Sequence, residues 1–480
     1  MNTKRAFLAD FYELATANGL FAAGVGDAAA VFEMFFRRVP DGGGFAVMAG
    51  VETLAQQLCS LTFTDEELDF CRSCGFGQEF IDYLKNFKFS CDVWAVPEGT
   101  PVFPNEPLVV VKGPAIQAQL IETFVLNTVN HQSLIATKAN RAVRAAQGRA
   151  VYERGARRAH GYDAAVEGAR AAYIGGADGA SVSAAGMKYG IPMICTMPHT
   201  WVQMFESEYD AFCAYLREHT EDGVIVTDTY DTLRSGVPNA IRAFNDVLVP
   251  LGKRPKGILI DSGDMTYLSK RARRMLDAAG FPDCSIAASN ALDEVLIRDM
   301  MHQSAKIDTF IVEERLSTSQ SSPVFDGVYK LCAIERSGTM KPAMMVSDNV
   351  NKITTPCEKK AWRLFDMETG KAVADVLTKS DETIDTSKPY TLFDPVFTWK
   401  RKVVESFVAR ELLVPVIKDG KRTAPPLPVA SIRKYCAEQI TSLWEEVLRF
   451  GYPHAYYVDL SEKLWQEKQA LLNYRVGSGQ

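Results

Sequence analysis

Between residues 150 and 315, side chains able to do chemistry recur in one position, just after a short β-rich run. Arg154, Gly155, Ala156, Arg157 and Arg158 follow 151–153. Thr196, Met197, Pro198 and His199 follow 192–195, and Asp228, Thr229 and Asp231 follow 223–227. Asp261-Ser262-Gly263-Asp264 follows 257–260, Ser289 and Asn290 follow 284–288, and Glu313, Glu314 and Arg315 follow 308–312. In parallel α/β folds, ligands bind at the carboxyl ends of the strands. Carboxylates there hold Mg²⁺ through a few oxygens and waters. Arginines pair with phosphate in a bidentate manner, and helix N-termini add anion-binding amides. The set suits a phosphorylated sugar with a divalent cation. No member is specific alone; together they separate an enzyme from a plain scaffold.

Each group also has a plainer reading. Arg157 and Arg158 fit surface residues paired to the next helix. His199 fits a helix-start residue with a satisfied imidazole. Asp261-Ser-Gly-Asp264 fits an N-cap and first-turn acid for a helix from Met265. His131, His160, His219, His302 and His454 show no metal-ligand spacing and read as structural.

The elements that must position these groups follow from periodicity. VYE (151–153) precedes a helical pattern at 162–174, and PMIC (192–195) precedes WVQMFESEYDAFCAYLREH. GVIVT (223–227) precedes TLRSGVPNAIRAFNDVLVPLG, GILI (257–260) precedes MTYLSKRARRMLDAAG, and CSIAA (284–288) precedes LDEVLIRDMMHQSA. Such alternation means βαβ units and a parallel sheet. Right-handed crossovers leave a closed barrel or a doubly wound sheet. Upstream, 5–20 reads as an amphipathic helix, 37–44 as a Pro/Gly-rich turn and 50–60 as a helix. Another helix starts at Thr64, with Glu67 completing a capping box. The stretch 87–114 reads as short antiparallel strands and 115–148 as helix. Downstream, 327–335 reads as a strand and 361–378 as a hairpin turning at Glu368–Gly370. The segment 418–427 reads as a loop, with terminal helices at 428–450 and 459–473.

Bulk properties exclude several classes. The 480 residues suggest about three domains, or one large barrel with additions. A net charge of −6 argues against a general nucleic-acid binder. No apolar run approaches the ~20 residues that span a bilayer. Asp10 and Glu13 interrupt the first apolar stretch, so no signal peptide is expected. The 10 cysteines are too sparse for a disulfide scaffold and suit a reducing, cytoplasmic location. Cys71-Arg-Ser-Cys74 is the only CxxC, and no second pair follows at zinc-ribbon spacing. With no GxxxxGK[ST] loop, any use of ATP proceeds without a P-loop.

Longer stretches carry a resemblance. ADFYELATANG, MFFRRVPDGGGFAVMAG, DVWAVPEGTPVFPNEP, ARRAHGYDAA, TMPHTWVQMFESEYDAF, TDTYDTLRSGVPNAI, DSGDMTYLSK, PVFDGVYKL and TWKRKVVESFVARELLVP resemble nicotinate phosphoribosyltransferases of the large bacterial type. The resemblance covers nearly the whole chain. It implies an irregular parallel α/β barrel at 131–325. It also implies an N-terminal α/β domain at 1–130, completed by about 326–400, and a C-terminal helical region at 401–480. The family's reaction joins nicotinate to phosphoribosyl pyrophosphate, with ATP hydrolysed through a phosphohistidine and Mg²⁺ present. It is the entry step of NAD salvage from nicotinate. The family forms homodimers with shared active sites; neither nucleic acid nor membrane is an expected partner.

Position by position, the resemblance makes His199 the phospho-acceptor, in Cys195-Thr-Met-Pro-His199. Tyr12 matches a tyrosine that stacks on the pyridine ring from the partner subunit. Arg157 matches the arginine that meets the nicotinate carboxylate, with Arg158 beside it. Asp228 and Asp261 match catalytic acids near the ribose and Mg²⁺. Ser289 and Asn290 match a sugar-phosphate contact. Lys138 and Arg37 or Arg38 match basic positions near phosphates, and Arg315 ends the last strand loop. Several positions depart from the family. Arg154 stands for a ring-stacking phenylalanine and Leu259 for an arginine. Ile311-Val312-Glu313 replaces a Gly-x-Gly, Ala180–Gly186 replaces Thr-Ala-Asn-Val-Leu-Ala-Gly, and Pro198 replaces an alanine. Glu313 would set charge and bulk beside a phosphate, unless it pairs with Arg154. Three readings stand: a working enzyme with adjusted contacts, a catalytically impaired or re-specialised ligand-binding relative, and a barrel enzyme for another phosphosugar. The first is the expectation.

Overall fold

The computed structural model describes residues 6–349 and 352–477. The chain divides into two compact units. One comprises residues 1–134, 324–427 and 434–480, and the other 135–323 with 428–433.

The discontinuous unit is built on an antiparallel sheet. Its strand order is Thr339–Pro342, Gly327–Arg336, Ala29–Phe36, Val109–Pro114, Asp92–Ala95, Val414–Lys418, Lys421–Arg422. Ala29–Phe36 (AAVFEMFF) is a central strand, buried along nearly its whole length. It shows no period-2 alternation because both faces are covered. Its one charge, Glu33, is matched by Lys359 at 2.9 Å, both side chains at most 5% exposed. Thr64 caps the helix Asp65–Ser73 in the expected box with Glu67. Cys71 and Cys74 sit at the end of that helix.

A second sheet, Phe407–Glu411, Lys359–Asp366, Ala372–Lys379, Val458–Leu460, contains the expected hairpin. Arg363 and Asp375 face each other across it, both side chains fully buried. The pairing is bidentate, Nε to Oδ1 at 2.8 Å and Nη2 to Oδ2 at 2.6 Å. The Tyr456 hydroxyl donates to Asp375 at 2.9 Å, and its ring stacks on Phe103 at 3.7 Å. Burial and the adjacent Asp375 raise the Glu106 carboxyl well above its ordinary pKa.

Two expectations need correcting. Residues 401–480 are not simply helical. They supply the strands Arg401–Val404, Phe407–Glu411, Val414–Lys418, Lys421–Arg422 and Val458–Leu460 beside the helices Val429–Thr441 and Glu462–Gly477. These strands are short, two to five residues, and lack a clear period-2 alternation, so no local pattern marks them. PMIC (192–195) is not a strand; Met193 makes a single bridge to Ala180. Pro192 and Pro198 remove the amides a longer ladder needs.

The second unit holds six parallel strands, in the order Gly179–Ala180, Ala150–Glu153, Thr309–Val312, Ser285–Ala288, Gly257–Ile260, Val224–Val226. Helices connect them, among them Tyr162–Ile174, Glu208–Glu218, Met265–Ala278 and Glu294–His302. The segment after Val224–Val226 is wound irregularly, with π turns at Thr232–Gly236 and Phe244–Leu248. The molecule is thus a mixed α/β protein with a parallel sheet. No helix among the described residues is long and apolar enough to cross a membrane.

Replacing Arg363 by Met should leave Asp375 and Glu106 as uncompensated buried acids. We expect a loss of about 3–5 kcal/mol in urea unfolding. A loss below about 1 kcal/mol would show that the cluster is not a stabilising element.

Candidate active site

The strand ends of the parallel sheet bring the sequence-named groups to one edge. Arg154 continues the ladder, its amide donating to Val312 O at 2.8 Å. Its guanidinium then crosses the edge. Nε and Nη2 both lie 2.7 Å from Glu313 Oε1. Nη1 donates to Thr196 Oγ1 at 3.1 Å, and Nη2 also reaches Ser289 Oγ at 3.0 Å and Asp261 Oδ1 at 3.2 Å. One side chain thus ties together three other strand ends and the loop before His199.

Asp261 is the next link. The Ser289 hydroxyl, itself fully buried, also donates to Oδ1. Oδ2 lies 3.5 Å from His199 Nε2. The other imidazole nitrogen, Nδ1, lies 3.1 Å from Thr229 Oγ1. His199 opens a short helix, His199–Gln203, and its side chain is 39% exposed, so the ring is held on both nitrogens yet reachable. Asp228 accepts from Ser262 Oγ at 2.5 Å through Oδ2, while its buried Oδ1 has no hydrogen-bond partner among the described residues. A free carboxylate oxygen is what a hard divalent cation takes. Mg²⁺ typically binds through one or two carboxylates plus waters and substrate phosphates, and Asp228 with Asp261 fits that donor set. Among the described residues there is no group of three or more His, Cys, Asp or Glu side chains that forms a metal cage.

The remaining candidates are distributed less uniformly. Arg157 donates to Glu313 Oε1 at 2.9 Å and is 69% exposed. Arg158 pairs with Glu314 at 2.6 Å, in the helix Glu314–Ser317 and not in the helix that follows it in sequence. Arg315 pairs with Asp293, whose other oxygen caps the helix Glu294–His302. Lys138 is buried, its ammonium 2.9 Å from Glu294 and bonded to Ser321, while Arg141 holds the same carboxylate. Asn290 and Ala291 both have positive φ, 87° and 46°. Such strain costs of order 1–3 kcal/mol per residue and tends to collect at functional sites. Tyr12, Arg37 and Arg38 belong to the other unit. Tyr12 is exposed, and burial of its hydroxyl end together with the Glu122 carboxylate raises its pKa. Arg38 pairs with Asp326 at 3.2 Å.

Sequence reasoning missed Glu153. It ends its strand on the inward face with Val151, which period-2 counting could have shown. Its Oε1 accepts from the Gly155 amide at 2.5 Å, and its buried Oε2 has no partner among the described residues. Burial raises its pKa to about 7; the Gly155 hydrogen bond opposes that rise and the Glu313 charge adds to it. Gly155 has no alternative residue here, because a Cβ would lie 2.5 Å from Ser317 Cβ and 2.8 Å from Glu313 O.

An imidazole, two carboxylates, hydroxyls and two arginines at the carboxyl edge of a parallel sheet define an α/β enzyme site for an anionic substrate. Comparison with known proteins narrows this. Residues 7–130 match the nicotinate phosphoribosyltransferase N-terminal domain, and 358–468 match the C-terminal domain of the same family. Nicotinate phosphoribosyltransferase of Bacillus subtilis is 40% identical over 462 residues, 96% of this chain and 93% of that protein. Its Mycobacterium tuberculosis counterpart is 38% identical over 92% of this chain and 88% of its own length. The crystal structure of human nicotinic acid phosphoribosyltransferase superposes with a TM-score of 0.86 at 27% identity, covering 96% of this chain and 99% of that one. The chain belongs to the nicotinate phosphoribosyltransferase family.

Glu153 gives a pH signature. A carboxyl whose folded pKa is raised from 4.5 to about 7 contributes stability that is fully present below about pH 4.5 and lost as pH rises to 7. Glu153→Gln should remove that loss. Its stability relative to the parent should climb between pH 4.5 and 7 in urea unfolding and level off above. A constant difference across that window would refute the assignment.

Proposed function

We propose that the protein is a working nicotinate phosphoribosyltransferase. It would form nicotinate mononucleotide and pyrophosphate from nicotinate and phosphoribosyl pyrophosphate, coupled to ATP hydrolysis through phosphorylated His199. The observation that carries this is the chain His199–Asp261–Arg154 at the strand ends. Asp261 beside Nε2 favours a proton on that nitrogen and leaves Nδ1 as the nucleophile, aligned by Thr229. Attack on the terminal phosphoryl group of ATP forms the N–P bond and releases ADP, and water later returns the phosphate. Ser289 and Asn290 would face the sugar phosphate, and Arg157 with Arg158 the nicotinate carboxylate. Asp228 and Asp261 would hold Mg²⁺, which when bound offsets charge developing on the departing pyrophosphate. Lys138 and Arg315 would act from behind, through Glu294 and Asp293, in place of direct phosphate contact. The impaired-relative reading is not favoured: the two unexpected charges, Arg154 and Glu313, pair with each other.

The same reading extends to shape and assembly. Met193 bridges Ala180, and Met197 N donates to Val224 O at 3.3 Å, so residues 193–197 lie between the two outer strands of the sheet. That supports an irregular barrel at about 131–325. A cytoplasmic homodimer, with Tyr12 given to the partner's site, completes the proposal.

Nicotinate-dependent pyrophosphate release with phosphoribosyl pyrophosphate, Mg²⁺ and ATP tests it. Absence of turnover in well-folded protein would overturn the reading. His199→Ala should lose ATP coupling while keeping basal transfer; coupling that survives would remove the role given to His199.

A further inference from the structure

Resting on the reading above, we propose that Glu313 is a resident competitor in the oxyanion site. It is a tethered carboxylate occupying the point between Arg154 and Arg157 that a substrate oxyanion takes.

Three guanidinium nitrogens converge on one oxygen. Arg154 Nε and Nη2 lie 2.7 Å from Glu313 Oε1, and Arg157 Nη2 lies 2.9 Å from it. Two arginines on a single acceptor atom form an anion site of the charge-assisted kind. The remaining reach of Arg154, to Thr196, Ser289 and Asp261, does not depend on Glu313. If Glu313 withdraws, the Nε edge of Arg154 and the fork of Arg157 are freed together while Arg154 stays in place. An oxygen of an incoming carboxylate or phosphate set at that point would receive the same three donors.

The occupant is held but opposed. Glu313 is 5% exposed, so it carries a desolvation cost that the arginines offset. Glu153, at the end of the neighbouring strand, interacts with it electrostatically, and its unpartnered Oε2 adds a second acid and no donor. Arg157 is open to solvent and gives an approaching anion a first contact before exchange. The shared chemistry is a planar or tetrahedral oxyanion; nicotinate carries one and phosphoribosyl pyrophosphate several.

The test is Glu313→Gln in the full-length enzyme, with KM and kcat measured separately for each substrate. Removing the competing charge should lower KM about tenfold for one substrate, equivalent to about 1.4 kcal/mol, with kcat changed less than twofold. A fall in the nicotinate KM assigns the carboxylate, and a fall in the phosphoribosyl pyrophosphate KM assigns a phosphate. Unchanged or raised KM for both overturns the proposal. Arg157→Gln is the second variant; being exposed it should fold, and it should raise the same KM about tenfold. A readout without turnover separates this proposal from the function it rests on. Protection from thermal unfolding by nicotinate and by inorganic phosphate is measured in parent and Glu313→Gln. Half-maximal protection by one of the two should move to about tenfold lower concentration, even in protein that does not turn over. Protection that is identical in both proteins overturns the inference, whatever the activity.

Discussion

The candidate active edge of this protein depends on one partly buried guanidinium, that of Arg154. Parallel strands end together, so whatever follows each strand is forced into one small volume. Here four acids arrive there: Glu153, Asp228, Asp261 and Glu313. Carboxylates crowded in this way repel one another and call for a positive charge among them. Arg154 answers that constraint by touching two of the acids and the Ser289 hydroxyl that supports one of them. The orientation of Asp261, and through it the ring of His199, follows from where this side chain lies. Its position is set in turn by the backbone, since its amide is the last rung of the ladder to Thr309–Val312.

Much of this was legible in the sequence. The parallel strands at 150–153, 224–226, 257–260, 285–288 and 309–312 stand where short β-rich runs alternate with helical periods. The Thr64 box and the 359–379 hairpin carry strong local chemistry. What escaped was of two kinds. Ala29–Phe36 is apolar on both faces and so lacks the alternation that marks a strand. The strands after 400 are two to five residues long and carry no clear alternation. Tertiary pairing decides both, and no local pattern reports it.

The candidate residues divide in the same way. Asp228, Asp261 and Ser289 follow from their place after a strand, whereas the run before His199 forms only a single bridge. Arg315 follows from position too and Lys138 from the family resemblance, yet their charges are taken up by Asp293 and Glu294. Reading Arg154 and Glu313 singly suggests a damaged site, and reading them as a pair removes the damage. The relation joins residues far apart in sequence; the sequence can raise the pairing, and the neighbouring strand ends show it.

The discontinuity of the antiparallel unit has a consequence during synthesis. Ala30 pairs with Ile334 on one side and Gly113 on the other. At ribosomal rates of about 5–20 residues per second, the second partner emerges on the order of tens of seconds after the first. The parallel unit, nearly continuous in sequence, can complete itself in that interval. Meanwhile the apolar strand 29–36 waits with one hydrogen-bonding edge open, the state in which strands recruit foreign partners. A nascent chain of this kind needs shelter for its first strand until the strand that closes it has left the ribosome.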